Sequence, residues 1–287
     1  MSNLTISLIS LIPAIALCLL IYEKDKVEKE PPLLLAALFV IGAVSFVPSY
    51  YLSDRLIVLF DGLFSDYREL NPALGSVIYS EASYEVLNRA LCSFVAVALV
   101  YETVRWLLLV IITSKNRNFN SLFDGLVYSA FISLGFAAAD NVRYSFVNGW
   151  DNILYRSIVT IPSYLAFGII SGLFYTLWHA YTIADKKENL LFAEGKLSHN
   201  IIRFPARFLV LSLIIPTIMH GVFSYIQSSN DAVGKVIFYV LLAVVYIVCF
   251  VITKSLSQRD TVDTQAAEKI IKAVHKDYEI EKEDDTN

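Results

Sequence analysis

Residues 122–146 read LFDGLVYSAFISLGFAAADNVRYSF. From Leu126 to Ala139 the stretch carries no charge, with Asp124 at one end and Asp140 and Arg143 near the other. An apolar run of about 20 residues is long enough to cross a hydrocarbon layer of roughly 30 Å as a helix. Lipid offers no water to the peptide groups, so such a run must satisfy its own N–H and C=O groups and is helical.

Similar runs recur on both sides of it. Spans are expected at Leu4–Tyr22, Pro32–Leu52, Asn88–Ile112, Leu122–Phe146, Tyr155–Ile183, Ala206–Ile226 and Val233–Thr253. The hydrophobic fraction of 56% exceeds the roughly 45–50% of soluble domains, and the fold expected is an all-α polytopic membrane bundle of about seven transmembrane helices. The first run has no basic flank before it and no small-residue cleavage site, and reads as a retained helix, not a removed signal peptide. Cys18, Cys92 and Cys249 all fall inside apolar runs and read as small hydrophobes. A net charge of −4 without a dense basic tract argues against a nucleic-acid partner; the expected surroundings are a lipid bilayer.

The connections orient the chain. The first carries Lys24, Lys26 and Lys29, the third Lys115 and Arg117, and the fifth Lys186, Lys187, Lys196 and Arg203. The fourth (147–154) and sixth (227–232) carry neither Lys nor Arg, which by the positive-inside rule predicts an outside N-terminus and a cytoplasmic C-terminus. The second connection, 53–87, is mainly acidic, and its Leu56–Phe60 stretch is too short to span and suits the membrane surface. Two parts are expected: a transmembrane domain, 1–254, and a polar tail, 255–287, with a short helix over Ala266–Ile280. No internal repeat supports an inverted-repeat transporter.

Ionisable groups inside a membrane helix cost about 2.5–3.5 kcal/mol each on insertion scales and need a partner or a task. The third span offers Glu102 and Arg105, three residues apart on one face. The fourth offers Asp140, Asn141 and Tyr144; the fifth Arg156, Pro162 and Tyr164; the sixth His220 and Ser224 one turn apart. Glu102–Arg105 reads equally as an ion pair that lowers insertion cost, and His220 or Asn141 as interhelical glue. Four spans converging on polar groups suit one water-accessible cavity.

These residues carry a family resemblance. IYEKDKVEKEPPLLL, FDGLVYSAFISLGFAAADNVRY, RSIVTIPSYLAFGIISG and IIPTIMHGVFSYI resemble, in order and spacing, the motif segments of the PrsW intramembrane proteases, relatives of the CAAX-processing endopeptidases. The family's paired acids in EExxK correspond to Tyr101 and Glu102, with Arg105 for its Lys. Its Glu-Asn-x-x-Tyr corresponds to Asp140, Asn141 and Tyr144, its Pro-x-His ends in Tyr164, and its His-Gly-x-x-Asp keeps His220 and Gly221 but ends in Ser224.

The resemblance implies a bacterial plasma-membrane endopeptidase in which Glu102 activates water, with His220 and Asp140 as the other catalytic groups. Tyr101, Arg105, Asn141, Tyr144, Arg156, Tyr164 and Ser224 support them. The implied substrate is a single-span membrane protein such as an anti-sigma factor. No cofactor is expected: zinc, the lesser alternative, wants more nitrogen or sulfur ligands than Glu102, Asp140 and His220 offer. The substitutions at Tyr101, Tyr164 and Ser224 keep a second reading open, a pseudoprotease that binds membrane proteins in the same groove. A small transporter or receptor is the third.

Overall fold

The computed structural model describes residues 3–70, 81–150, 152–228 and 232–275. Two helices, α1 (Asn3–Lys24) and α2 (Pro32–Leu70), come first. The third, α3, joins Glu81–Leu91, a π-helical stretch Cys92–Leu99 and Val100–Thr113. After α4 (Asp124–Asn148), α5 is built from Ile153–Tyr155, a π-helical stretch Arg156–Thr160 and Ile161–Ala193. Then follow α6 (Ala206–Gln227), α7 (Ala232–Arg259) and the tail helix α8 (Asp263–Val274). Seven of these, α1 to α7, are long and apolar enough to cross a membrane, and no strand forms among the described residues.

Several helices outrun their expected spans: α3 begins at Glu81, α5 continues to Ala193 and α7 to Arg259. The second span does not stop at Leu52: α2 continues through Leu56–Phe60, because no glycine or proline interrupts the sequence there. Residues 71–80 of the second connection lie outside the described residues. The tail helix starts three residues earlier than expected, at Asp263, and its expected end at Ile280 lies outside the described residues.

The middle of the bundle is α4. Inside the protein, 83% of its span is buried, against 22% for α7. It packs on α1, α2 and α5. Two glycines set the closest crossing: a Cβ on Gly42 would strike the Ile132 carbonyl, and one on Gly135 the Phe39 carbonyl. Small residues let backbones approach in this way where lipid supplies no hydrophobic drive between helices. Polar glue adds to it, as in the Ser7–Ser145 hydroxyl pair at 2.7 Å and the Asn141 amide donating to the Ser10 carbonyl at 2.9 Å. The outer faces are apolar and exposed. On α7, Val236, Val240, Val244, Ile247 and Val251 form such a stripe at helical spacing, suited to lipid.

The tail helix lies at one end of the bundle, here termed the tail face; the opposite end, where α1 begins, is the N-terminal face. Ala267 and Ile271 of α8 pack on Ala184 and Leu191 of α5. Three pairs fasten it: His179–Asp263 at 2.8 Å, Lys187–Glu268 at 2.6 Å and His275–Glu188 at 2.5 Å.

Candidate active site

The polar groups meet in the half of the bundle nearer the N-terminal face. Glu102 sits just beyond the π-helical stretch of α3, and Arg156 opens the π-helical stretch of α5. A π turn carries more residues per turn than an α turn and so re-aims the side chains that follow it. In α5 the cause is legible: Pro162 has no N–H, which leaves the Ile158 carbonyl without its ordinary helical donor. The Tyr246 hydroxyl of α7 lies 3.2 Å from that carbonyl and 2.9 Å from that of Val159, and donates there.

Glu102 and His220 are joined directly. His220 Nδ1 lies 2.7 Å from Glu102 Oε1, and both side chains are buried. The same carboxylate oxygen accepts from Arg105 Nη2 one turn along α3. Arg105 is itself enclosed, its guanidinium 5.3 Å from the Phe136 ring centre and 5.1 Å from that of Tyr164. Gly221 makes the close approach of α6 to α3 feasible, since a Cβ there would run into the Phe94 ring. Further into the bundle, Trp106 Nε1 donates to Ser212 Oγ at 2.8 Å and holds the same two helices together. The imidazole stacks on Phe167 at 4.8 Å and meets the edge of Tyr164 at 5.5 Å.

His220 borders a cavity of about 160 Å³, room for several waters at about 30 Å³ each. Asp140, Arg156, Ser163, Tyr164 and Ser224 share its wall, whereas Glu102 does not. A vestibule of about 320 Å³ adjoins it, lined by Tyr144, Asn152 and Tyr155 and sharing Arg156, Thr160 and Gln227 with the inner cavity. The two follow the fourth connection towards the N-terminal face.

The sequence-derived residues thus fall into two groups. Glu102, Arg105 and His220 form one hydrogen-bonded set. Asp140 belongs to another: its carboxylate takes Arg156 Nη2 at 2.6 Å, Asn141 takes Arg156 Nε at 2.9 Å, and the guanidinium lies 4.4 Å from the centre of the Tyr144 ring. Tyr101 does not line the cavity; its ring packs against Phe46 and Phe136 and lies 6.0 Å from the His220 ring. Sequence reasoning passed over Phe167, Phe94 and Gln227, whose types carry no chemical signal; only the His220–Gly221 pair hints that something large lies opposite.

Comparison with known proteins agrees with this architecture. Residues 30–252 match the model of a family described as PrsW family intramembrane metalloprotease. Protease PrsW of Oceanobacillus iheyensis is 27% identical over 215 residues, covering 75% of this chain and 79% of that protein. Protease PrsW of Bacillus subtilis is 25% identical over 247 residues, 86% of this chain and 92% of the relative. That of Clostridioides difficile is 27% identical over 228 residues, 78% and 79%. No solved structure matches the chain.

The family description names a metal, and the donors here do not fit one. Glu102 is engaged by Arg105 and His220, Asp140 by Arg156, and among the described residues no three His, Cys, Asp or Glu converge as ligands. Seven apolar helices, the polar cavity between them and a family match over most of the length identify the chain as a multi-pass protein of the bacterial plasma membrane and a member of the PrsW family of intramembrane proteases.

Proposed function

We propose that this chain is an intramembrane endopeptidase that cleaves a membrane-anchored regulatory protein, with His220 and Glu102 acting as one unit on a cavity water. The observation that carries the reading is the 2.7 Å bond between His220 Nδ1 and Glu102 Oε1 beside a polar cavity. A carboxylate on Nδ1 holds that nitrogen as N–H and leaves Nε2 as the acceptor. Nε2 then takes a proton from water as the oxygen attacks the scissile carbonyl, and returns it to the leaving amine. The carboxylate stabilises the imidazolium formed between the two steps.

This modifies the expectation that Glu102 itself activates the water. With Arg105 and His220 both bonded to it, Glu102 orients and stabilises instead. Tyr164 and Arg156 border the same cavity and supply donors for the developing oxyanion.

The positive-inside pattern supports a cytoplasmic tail face, so the cavity opens outward and takes substrate from the extracytoplasmic half of the membrane. The family resemblance supports a single-span substrate such as an anti-sigma factor. The test is purified protein in liposomes with a panel of tagged single-span membrane proteins, in water enriched in heavy oxygen. Cleavage that leaves the heavy atom in the new carboxyl supports the reading; intact proteins throughout the panel count against it.

A pseudoprotease is the second reading, favoured by Tyr101, Tyr164 and Ser224 at motif positions. It predicts a stable complex with a panel member and no cleavage.

A further inference from the structure

At the tail face, far from the cavity, three chain segments form a junction. The segment between α7 and α8 pairs with the one before α4: Ser121 and Val262 form an antiparallel bridge, Leu122 N donates to Thr261 O at 3.2 Å and Asp263 N to Asn120 O at 2.8 Å. The turn between α1 and α2 joins them, with Asn120 Nδ2 donating to Glu28 at 3.0 Å and Ser257 Oγ to the Lys24 carbonyl at 2.5 Å.

Five carboxyls are buried there, Asp25, Glu30, Asp124, Asp260 and Asp263, of which the last is bonded to His179. Asp124 accepts three hydrogen bonds, from Asn120 N, Ser121 N and Ser121 Oγ at 2.6–2.9 Å. Asp260 accepts one from Phe123 N at 3.0 Å, and Asp25 one from Glu30 N at 3.1 Å. One oxygen each of Asp25, Glu30, Asp260 and Asp263 is buried with no partner of hydrogen-bonding geometry. The fully buried Tyr128 hydroxyl interacts with Glu30 and has no other partner.

Compensating charge stands outside. Lys24, Lys26 and Lys29 of the first turn, Arg117 before α4 and Arg259 at the end of α7 are all exposed. Lys29 acts on Asp25 from that position, and Glu28 adds a further negative charge. From α5, His179 is already bonded to Asp263. The other four buried carboxylates, without a buried cation, cannot all stay charged, because each pays for its lost hydration. Among the described residues no three acids converge as metal ligands, which leaves the proton as the neutralising cation.

We propose that this junction is a proton-binding site in which Glu30 holds the proton, and that releasing it loosens the strap formed by residues 260–263. Burial first, then the charge of Asp124, pushes the Glu30 carboxyl up from 4.5 to about 8; burial also raises Asp25 and Asp260. With the closed-state value raised, the stabilisation is complete below the ordinary carboxyl value. It declines as pH rises and is gone once pH passes about 8. The tail thereby senses the pH of the compartment it faces. Nothing in this depends on the peptidase reading.

The test is hydrogen exchange of the full chain in detergent micelles, read on peptides covering 25–31 and 260–274 and corrected for intrinsic exchange. Between pH 6 and 8 the opening constant rises about tenfold per pH unit and then levels off. Glu30→Gln, always neutral, removes that slope and keeps its protection at pH 8. A wild-type constant independent of pH, or an unchanged slope in Glu30→Gln, overturns the proposal. Infrared titration gives an independent reading: the wild type shows a protonated-carboxyl C=O band that vanishes above pH 8. Asp25→Asn, which retains an acceptor for the Glu30 N–H, moves that transition to lower pH. No titrating band, or no movement, refutes the assignment even if Glu30→Gln fails to fold.

Discussion

Glu102 Oε1 and His220 Nδ1 lie 2.7 Å apart although 118 positions separate them in the chain, and beside His220 the missing side chain of Gly221 leaves room for the Phe94 ring. Each element of that contact can be removed separately.

Gly221→Ala inserts a methyl group where Phe94 sits. Overpacking of this kind costs about 1–3 kcal/mol. Thermal unfolding in detergent should show a lowered midpoint, and Phe94→Ala in the same chain should recover most of the loss. Additive losses would mean that Gly221 does not set the α3–α6 distance.

Asp140 and Arg156 form a pair of which each side chain is about one-seventh exposed, at 16% and 14%. A double-mutant cycle with Asp140→Asn and Arg156→Gln should give a coupling of about 1–2 kcal/mol in unfolding free energy. Arg156→Gln alone should also reduce cleavage, because the guanidinium borders the cavity. A coupling near zero would make the two side chains independent.

Glu188 has no exposed surface and accepts from Ile201 N, Ile202 N and the His275 ring. Glu188→Ala leaves two buried or half-buried amides without an acceptor, at about 1–3 kcal/mol each. Trypsin should cut the connection between α5 and α6, at Lys196 or Arg203, at least tenfold faster than in wild type. The Lys187–Glu268 pair is more than a third exposed, so Lys187→Ala should change cleavage little. Equal effects of the two substitutions would contradict this ranking.

Ser224 shares the cavity wall with His220, one helical turn away. Ser224→Asp adds a carboxylate that favours the imidazolium, and turnover should rise several-fold if His220 carries the proton. No rise, with binding intact, would favour the pseudoprotease.

The spans were legible because length and apolarity act locally. So was the pairing of Glu102 with Arg105, fixed by helical spacing. Which helices face each other was not. Glu102, Asp140 and His220 read as one set, yet Asp140 turns to Arg156, which a π-helical stretch and Pro162 aim at it. The far end of α2 was missed because polar residues beyond Leu52 mark a membrane boundary and not a helix end. The tail-face carboxyls Asp25, Glu30 and Asp260 lie in polar connections, and the sequence carries no signal of their burial, which comes with the packing of distant segments.

The most direct test is cleavage of a single-span membrane protein by the reconstituted chain, comparing wild type with Glu102→Gln and His220→Ala, each with and without chelator. The structure predicts cleavage by wild type that survives the chelator. It predicts a loss of at least a hundredfold in both variants, in line with the 10²–10⁴-fold typical of general acid–base catalysis. Undiminished cleavage by either variant would contradict the Glu102–His220 unit, and cleavage abolished by chelator would contradict its independence from metal.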